Sequence, residues 1–78
     1  MAFDRLEAMR AFCRIVEVGS FSRAAESLNL AKTTVSGQVQ ALEHLLGMKL
    51  LHRTTRKVSA TTEGAAYYRR ARAILEDV

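Results

Sequence analysis

The 78-residue chain has a single cysteine, Cys13, so no internal disulfide can form. Its two histidines, His44 and His52, give no cluster with metal-ligand spacing, and neither metal nor cofactor is expected. A run of about 18 apolar residues, the minimum for a membrane-spanning helix, is missing. The opening MAFDRLEAMR mixes charges where a secretion signal would place an apolar centre. A reduced, cytoplasmic setting without a membrane fits these absences. Convergent catalytic groups are also lacking: there is no His-Asp-Ser order, no paired carboxylates on one face and no glycine-rich phosphate loop, because Gly19, Gly37, Gly47 and Gly64 are scattered. An enzyme is not expected, and Cys13, on an apolar helix face, reads as a buried, inert thiol.

Charge is present but unevenly placed. Residues 1–48 carry five basic and five acidic groups, whereas residues 49–72 carry seven basic groups against Glu63 alone. A positive block beside a neutral half points to a polyanionic partner.

Apolar spacing predicts a mainly α chain. Residues 3–18 form a first helix with Phe3, Leu6, Met9, Cys13 and Val16 on one face, widened by Phe12 and Ile15 and stopped by Gly19. Ser22 can cap a short helix from Arg23 to about Leu28, with Phe21 as a core plug and Ala24, Ala25 and Leu28 facing inward. Asn29-Leu30-Ala31 is a tight turn. A longer helix follows, with Thr33 its better cap and Val35, Val39, Leu42 and Leu46 as its apolar stripe. Leu50-Leu51-His52-Arg53 and Lys57-Val58-Ser59 read as two short strands around a Thr54-Thr55-Arg56 turn. Two such strands are unstable alone, so Leu50 and Val58 must rest on the helices, making a wing. Thr61 or Thr62 caps a last helix whose stripe, Tyr67, Ala71, Ile74 and Val78, exceeds what so small a domain covers. A second copy of the chain is its simplest partner. With no stop signal before Val78, the sequence reads as a piece cut inside a longer helix.

The third helix turns Thr33, Gly37, Gln40 and His44, with Ser36 beside them, away from its stripe. That side carries small hydrogen-bonding groups and no carboxylate, which suits a helix lying in the major groove of DNA. Thr33, Thr34 and Ser36 can donate to phosphates or base edges, and Gln40 can pair bidentately with adenine. Arg53 and Arg56 can reach the minor groove or its phosphates. Ser22, Lys32, Gly37 and Lys57 complete the candidate DNA-contacting set. The alternatives are a protein-interaction module, resting on the Tyr67–Val78 stripe, and a DNA-binding domain of another winged-helix family.

Two phrases, AFCRIVEVGSFSRAAESLNL and TTVSGQVQALEHLLGMKLLHRTTRKVSATTEG, make the run from Leu6 to Gly64 resemble the amino-terminal domain of the LysR-type transcriptional regulators. The resemblance implies a winged helix-turn-helix over residues 1–61, its helix-turn-helix motif at about 21–40. Three helices and a two-stranded wing are followed by the start of a linker helix that dimerises, over 62–78. It further implies a bacterial cytoplasmic protein acting as a dimer or tetramer on promoters. An effector would bind only in a carboxy-terminal domain that is not present here. Family members often have Ser-Gln-Pro where this chain has Ala31-Lys32-Thr33, and Arg where it has Gly37. The family's DNA-contacting positions therefore carry over to Ser36 and Arg53, and not directly to Gly37. Either the backbone approaches DNA closely at Gly37, or a contact is lost there and Lys32 replaces its charge.

Overall fold

A computed structural model describes residues 4–53 and 57–77. Its elements run α1 (Arg5–Val18), α2 (Phe21–Leu28), α3 (Lys32–Leu46), β1 (Leu51–Arg53), β2 (Val58–Ala60) and α4 (Thr62–Glu76). The architecture is a winged helix-turn-helix with a fourth helix. Phe3, the Thr54-Thr55-Arg56 turn and Val78 lie outside the described residues.

Helix α1 is the hub, packing on α2, α3 and α4 and touching β2. Asp4 caps it by accepting the Glu7 N–H, and Gly19 ends it with φ of 71°, a left-handed conformation that side-chain-bearing residues resist. Phe12 and Ile15 from α1, Val35, Val39 and Leu42 from α3, and Leu50 at the root of the wing are fully buried. Each contributes about 1.5–3 kcal/mol through burial. The predicted stripe of α3 is thus the inward face, with Leu46 half-buried at its end. Leu6 departs from expectation: it is exposed, at 37%.

Two predicted helix starts need correction. Helix α2 begins at Phe21, and its cap is Ser20, whose hydroxyl accepts the Arg23 N–H at 3.2 Å; Ser22 lies inside the first turn, exposed. Helix α3 begins at Lys32, with Ala31 in the cap position and no side-chain cap, so Thr33 is helical rather than capping. Between them Asn29 takes the left-handed conformation that closes α2, and Leu30 packs back on the core. The alanines Ala24 and Ala25 are buried and let α2 approach α1 and α3 closely.

Strands β1 and β2 pair antiparallel with Leu51 opposite Ala60, His52 opposite Ser59 and Arg53 opposite Val58. The returning strand is displaced by one residue from the expected Lys57–Ser59. Thr61 is the cap of α4: its hydroxyl accepts the Gly64 N–H and donates to the Lys49 carbonyl, both at 2.8 Å. One side chain therefore joins the last helix to the segment before β1.

Candidate nucleic-acid interface

Helix α3 presents Lys32, Thr33, Thr34, Gly37, Gln40 and His44 to solvent, with Ser36 half-buried beside them. Its uncapped start matters chemically. The leading amides of an α-helix have no intrahelical acceptor, and no side chain of Ala31 supplies one. Together with the helix dipole they favour an anion at this end, where Lys32 adds a full positive charge. The first turn contains no acidic residue to oppose it. A methyl group built at Gly37 would meet no atom of the chain within 4 Å, so nothing inside the protein requires glycine there. Both accounts of Gly37 therefore stay compatible with the fold.

Glu43, the single carboxylate of α3, is buried at 8% exposure and turned to the root of the wing. It accepts the N–H of Leu50 at 2.9 Å and of Leu51 at 3.3 Å. This contact removes negative charge from the outward face and fixes the wing relative to α3. Charge-assisted bonds of this kind are about twice as strong as neutral ones. Sequence reasoning missed this role, although a glutamate flanking the apolar stripe of a helix is the available signal. An open groove lined by Gln40, Glu43, His44, Gly47, Met48 and Lys49 runs from the outward face of α3 to this junction.

From the other side, the Leu50 carbonyl accepts the Thr61 N–H at 3.0 Å. Gly64 of α4 lies against the same carbonyl: a Cβ at position 64 would come within 2.8 Å of its carbon and closer still to its oxygen. The close approach explains the glycine.

On the wing, Arg53 is exposed and its guanidinium carbon sits 4.6 Å from the centre of the Phe21 ring. Lys57 is also exposed, at the start of the return to β2. Arg56 lies outside the described residues. The structure thus brings together Lys32, Thr33, Thr34, Ser36, Gly37 and Gln40 on one helix, with Arg53 beside the start of the helix that precedes it.

The expected dimer set divides. Ala71 is wholly buried within the single chain, and Tyr67 is half-buried against Phe12, ring centres 5.8 Å apart. Both residues are used by α1. Ile74 is 44% exposed, and Val78 lies outside the described residues. Helix α4 is further tied to α1 by the Tyr68 hydroxyl, which donates to Glu17 at 2.8 Å, and by Arg72, 3.7 Å from the same carboxylate. That hydrogen bond raises the Tyr68 pKa above its usual value, with smaller contributions from burial and from the Glu17 charge. Burial does the same at Tyr67. It also pushes the Cys13 thiol up to about 11, Glu17 adding to the effect and Arg72 opposing it. Cys13 is therefore a neutral thiol at ordinary pH. Among the described residues no group of three or more His, Cys, Asp or Glu could hold a metal ion, and no helix is long and apolar enough to cross a membrane.

Three helices around an α1 hub, with a two-stranded sheet after the third, define the winged helix-turn-helix class. Residues 6–65 match the family described as "Bacterial regulatory helix-turn-helix protein, lysR family", and the chain belongs to that family. It is 51% identical over 75 residues to the uncharacterized HTH-type transcriptional regulator YhjC of Escherichia coli, covering 96% of this chain and 25% of that protein. It is 53% identical over 72 residues to the HTH-type transcriptional regulator CrgA of Neisseria meningitidis, covering 92% and 24%. The chain thus spans about a quarter of the length of these relatives. Among solved structures, the DNA-binding domain of BenM in complex with catB site 1 DNA superposes with a TM-score of 0.89 at 40% identity, covering 92% of this chain and 80% of that one. The CbnR DNA-binding domain in complex with DNA gives 0.88 at 35% identity, covering 91% and 82%.

Proposed function

We propose that this chain is the sequence-specific, double-stranded DNA-binding domain of a bacterial, cytoplasmic LysR-type regulator of promoter activity, and that it is not an enzyme. Helix α3 lies in the major groove, and Arg53 and Lys57 of the wing meet the adjacent minor groove and its phosphates; Arg56, outside the described residues, is assigned the same role. The observation that carries this reading is the placement of Glu43: the one carboxylate of α3 is buried at the wing, leaving an outward face of Lys, Thr, Ser, Gly and Gln. Lys32, Thr33 and Thr34 meet phosphate at the uncapped helix start. Ser36 and Gln40 meet base edges. Ser22, exposed at the start of α2, is assigned a further contact with the DNA.

Two copies pair through α4 and so set two α3 helices on one duplex, as a homodimer or within a tetramer. Because α1 already covers Ala71 and most of Tyr67, the pairing surface centres on Ile74 and continues toward Val78. A small-molecule effector would act through a further domain that the longer relatives have room for.

The test is retardation of duplex DNA across a salt titration. Arg53→Ala should weaken binding to all sequences and reduce the salt slope by about one charge. Gln40→Ala should shift sequence preference by about 1–3 kcal/mol at one base pair. A chain that retards no duplex at low salt would be an interaction module instead.

A further inference from the structure

We propose that Phe21 is a positioning residue for DNA recognition, holding the Arg53 guanidinium in a ready conformation on the wing; the inference rests on the wing reading above. Arg53 is the last residue of β1, opposite Val58, and its side chain is exposed. A free arginine there would sample many rotamers. Instead its guanidinium carbon lies 4.6 Å from the Phe21 ring centre, within the reach of a cation–π contact.

Phe21 suits this task. It is the first residue of α2, fixed by the Ser20 cap behind it, half-buried and packed on the core. One part of the ring is anchored while a face is left for the cation. No carboxylate among the described residues pairs with Arg53. The difference is chemical. A carboxylate partner would occupy the N–H donors of the guanidinium and cancel its charge. An aromatic face orders the group while leaving donors and charge available to phosphates and to the negative potential of a narrow minor groove. Ordering the side chain before DNA arrives also lowers the entropy lost on binding.

The experiment compares wild type, Phe21→Leu, Phe21→Tyr, Arg53→Ala and the Phe21→Leu/Arg53→Ala double variant. Two duplexes are used that differ only in the tract facing the wing, A·T-rich or G·C-rich. Phe21→Leu should weaken binding about two- to fivefold, the range of an exposed cation–π contact, and mainly on the A·T-rich duplex. The salt slope should stay that of wild type, since the charge remains. Phe21→Tyr should bind as wild type, and Phe21→Leu should add nothing once Arg53 is Ala. A Phe21→Leu chain that binds both duplexes as wild type, or loses as much in the Arg53→Ala background, overturns the inference while the wing reading stands. An Arg53→Ala chain that binds as wild type overturns both. Should Phe21→Leu fail to fold, NMR of the wild-type chain decides instead. The Arg53 side-chain protons should be shifted upfield by the ring, and ordinary shifts overturn the inference.

Discussion

The carboxylate of Glu43, near the end of the third helix, accepts the backbone N–H of Leu50 at 2.9 Å and of Leu51 at 3.3 Å, so α3 and the root of the wing are joined by two buried hydrogen bonds. Glu43→Ala would leave the amides of Leu50 and Leu51 without this acceptor. The expected loss is about 2–4 kcal/mol, read by urea denaturation of the DNA-free chain. Glu43→Gln keeps an acceptor oxygen and should cost less than half as much. Equal losses for the two variants would show that packing, rather than the bond, matters there.

Gly64 and Gly37 should answer substitution in opposite senses. Alanine at 64 collides with the Leu50 backbone and should destabilise the chain by about 2–3 kcal/mol. Alanine at 37 meets open space inside a helix and should stabilise it by about 0.5–1 kcal/mol. Thermal melts of the two variants make the comparison. Gly37→Arg should steepen the salt dependence of DNA binding by about one charge, if the position has lost a contact.

The uncapped start of α3 predicts a stabilising substitution. Ala31→Ser supplies the missing acceptor and should raise stability by about 1 kcal/mol. Ala31→Asp should do the same in the free chain yet weaken DNA binding, because its charge would repel the phosphate proposed to meet these amides. Denaturation and gel retardation of both variants check the two effects separately.

Alkaline pH tests the buried thiol. The folded Cys13 pKa of about 11 lies above its ordinary 9.0, so its contribution is fully present below pH 9 and is lost as pH rises through 11. The difference between 9.0 and about 11 corresponds to about 2–3 kcal/mol. Cys13→Ala should remove this part of the alkaline loss, seen as a flatter stability profile between pH 9 and 11. The tyrosines titrate in both proteins, and the Cys13 charge adds to the rise of both tyrosine pKa values, so the difference between the two profiles reports the thiol together with that coupling.

The fold was legible where one periodicity decides the outcome. The α3 stripe, the glycine stops and the wing strands follow from spacing and local conformational preference, and a helix wheel also separates the polar face of α3 from its spine. Local chemistry was ambiguous at the helix starts. Ser20 and Ser22 flank Phe21 and either can cap, and the packing of Phe21 selects Ser20. Ala31 begins α3 against its poor capping chemistry because the buried Val35 and Val39 fix where the helix must lie. A wheel also shows which side of α4 is apolar without showing what covers it. Tyr67 and Ala71 face the same chain's α1, and the tie between Tyr68 and Glu17 spans 51 positions of sequence. The wing-facing role of Glu43 and the Phe21–Arg53 contact are likewise products of tertiary placement.

At the corner where β2 turns into α4, Thr61 grips Lys49 and Gly64 rests directly on Leu50. Position 64 has room for a hydrogen atom alone, so no compliant spacer separates the long terminal helix from the two-stranded arm. A tilt imposed at the far end of that helix has no soft joint in which to dissipate. Arm and helix are therefore expected to shift together, in the manner of a lever welded to its load.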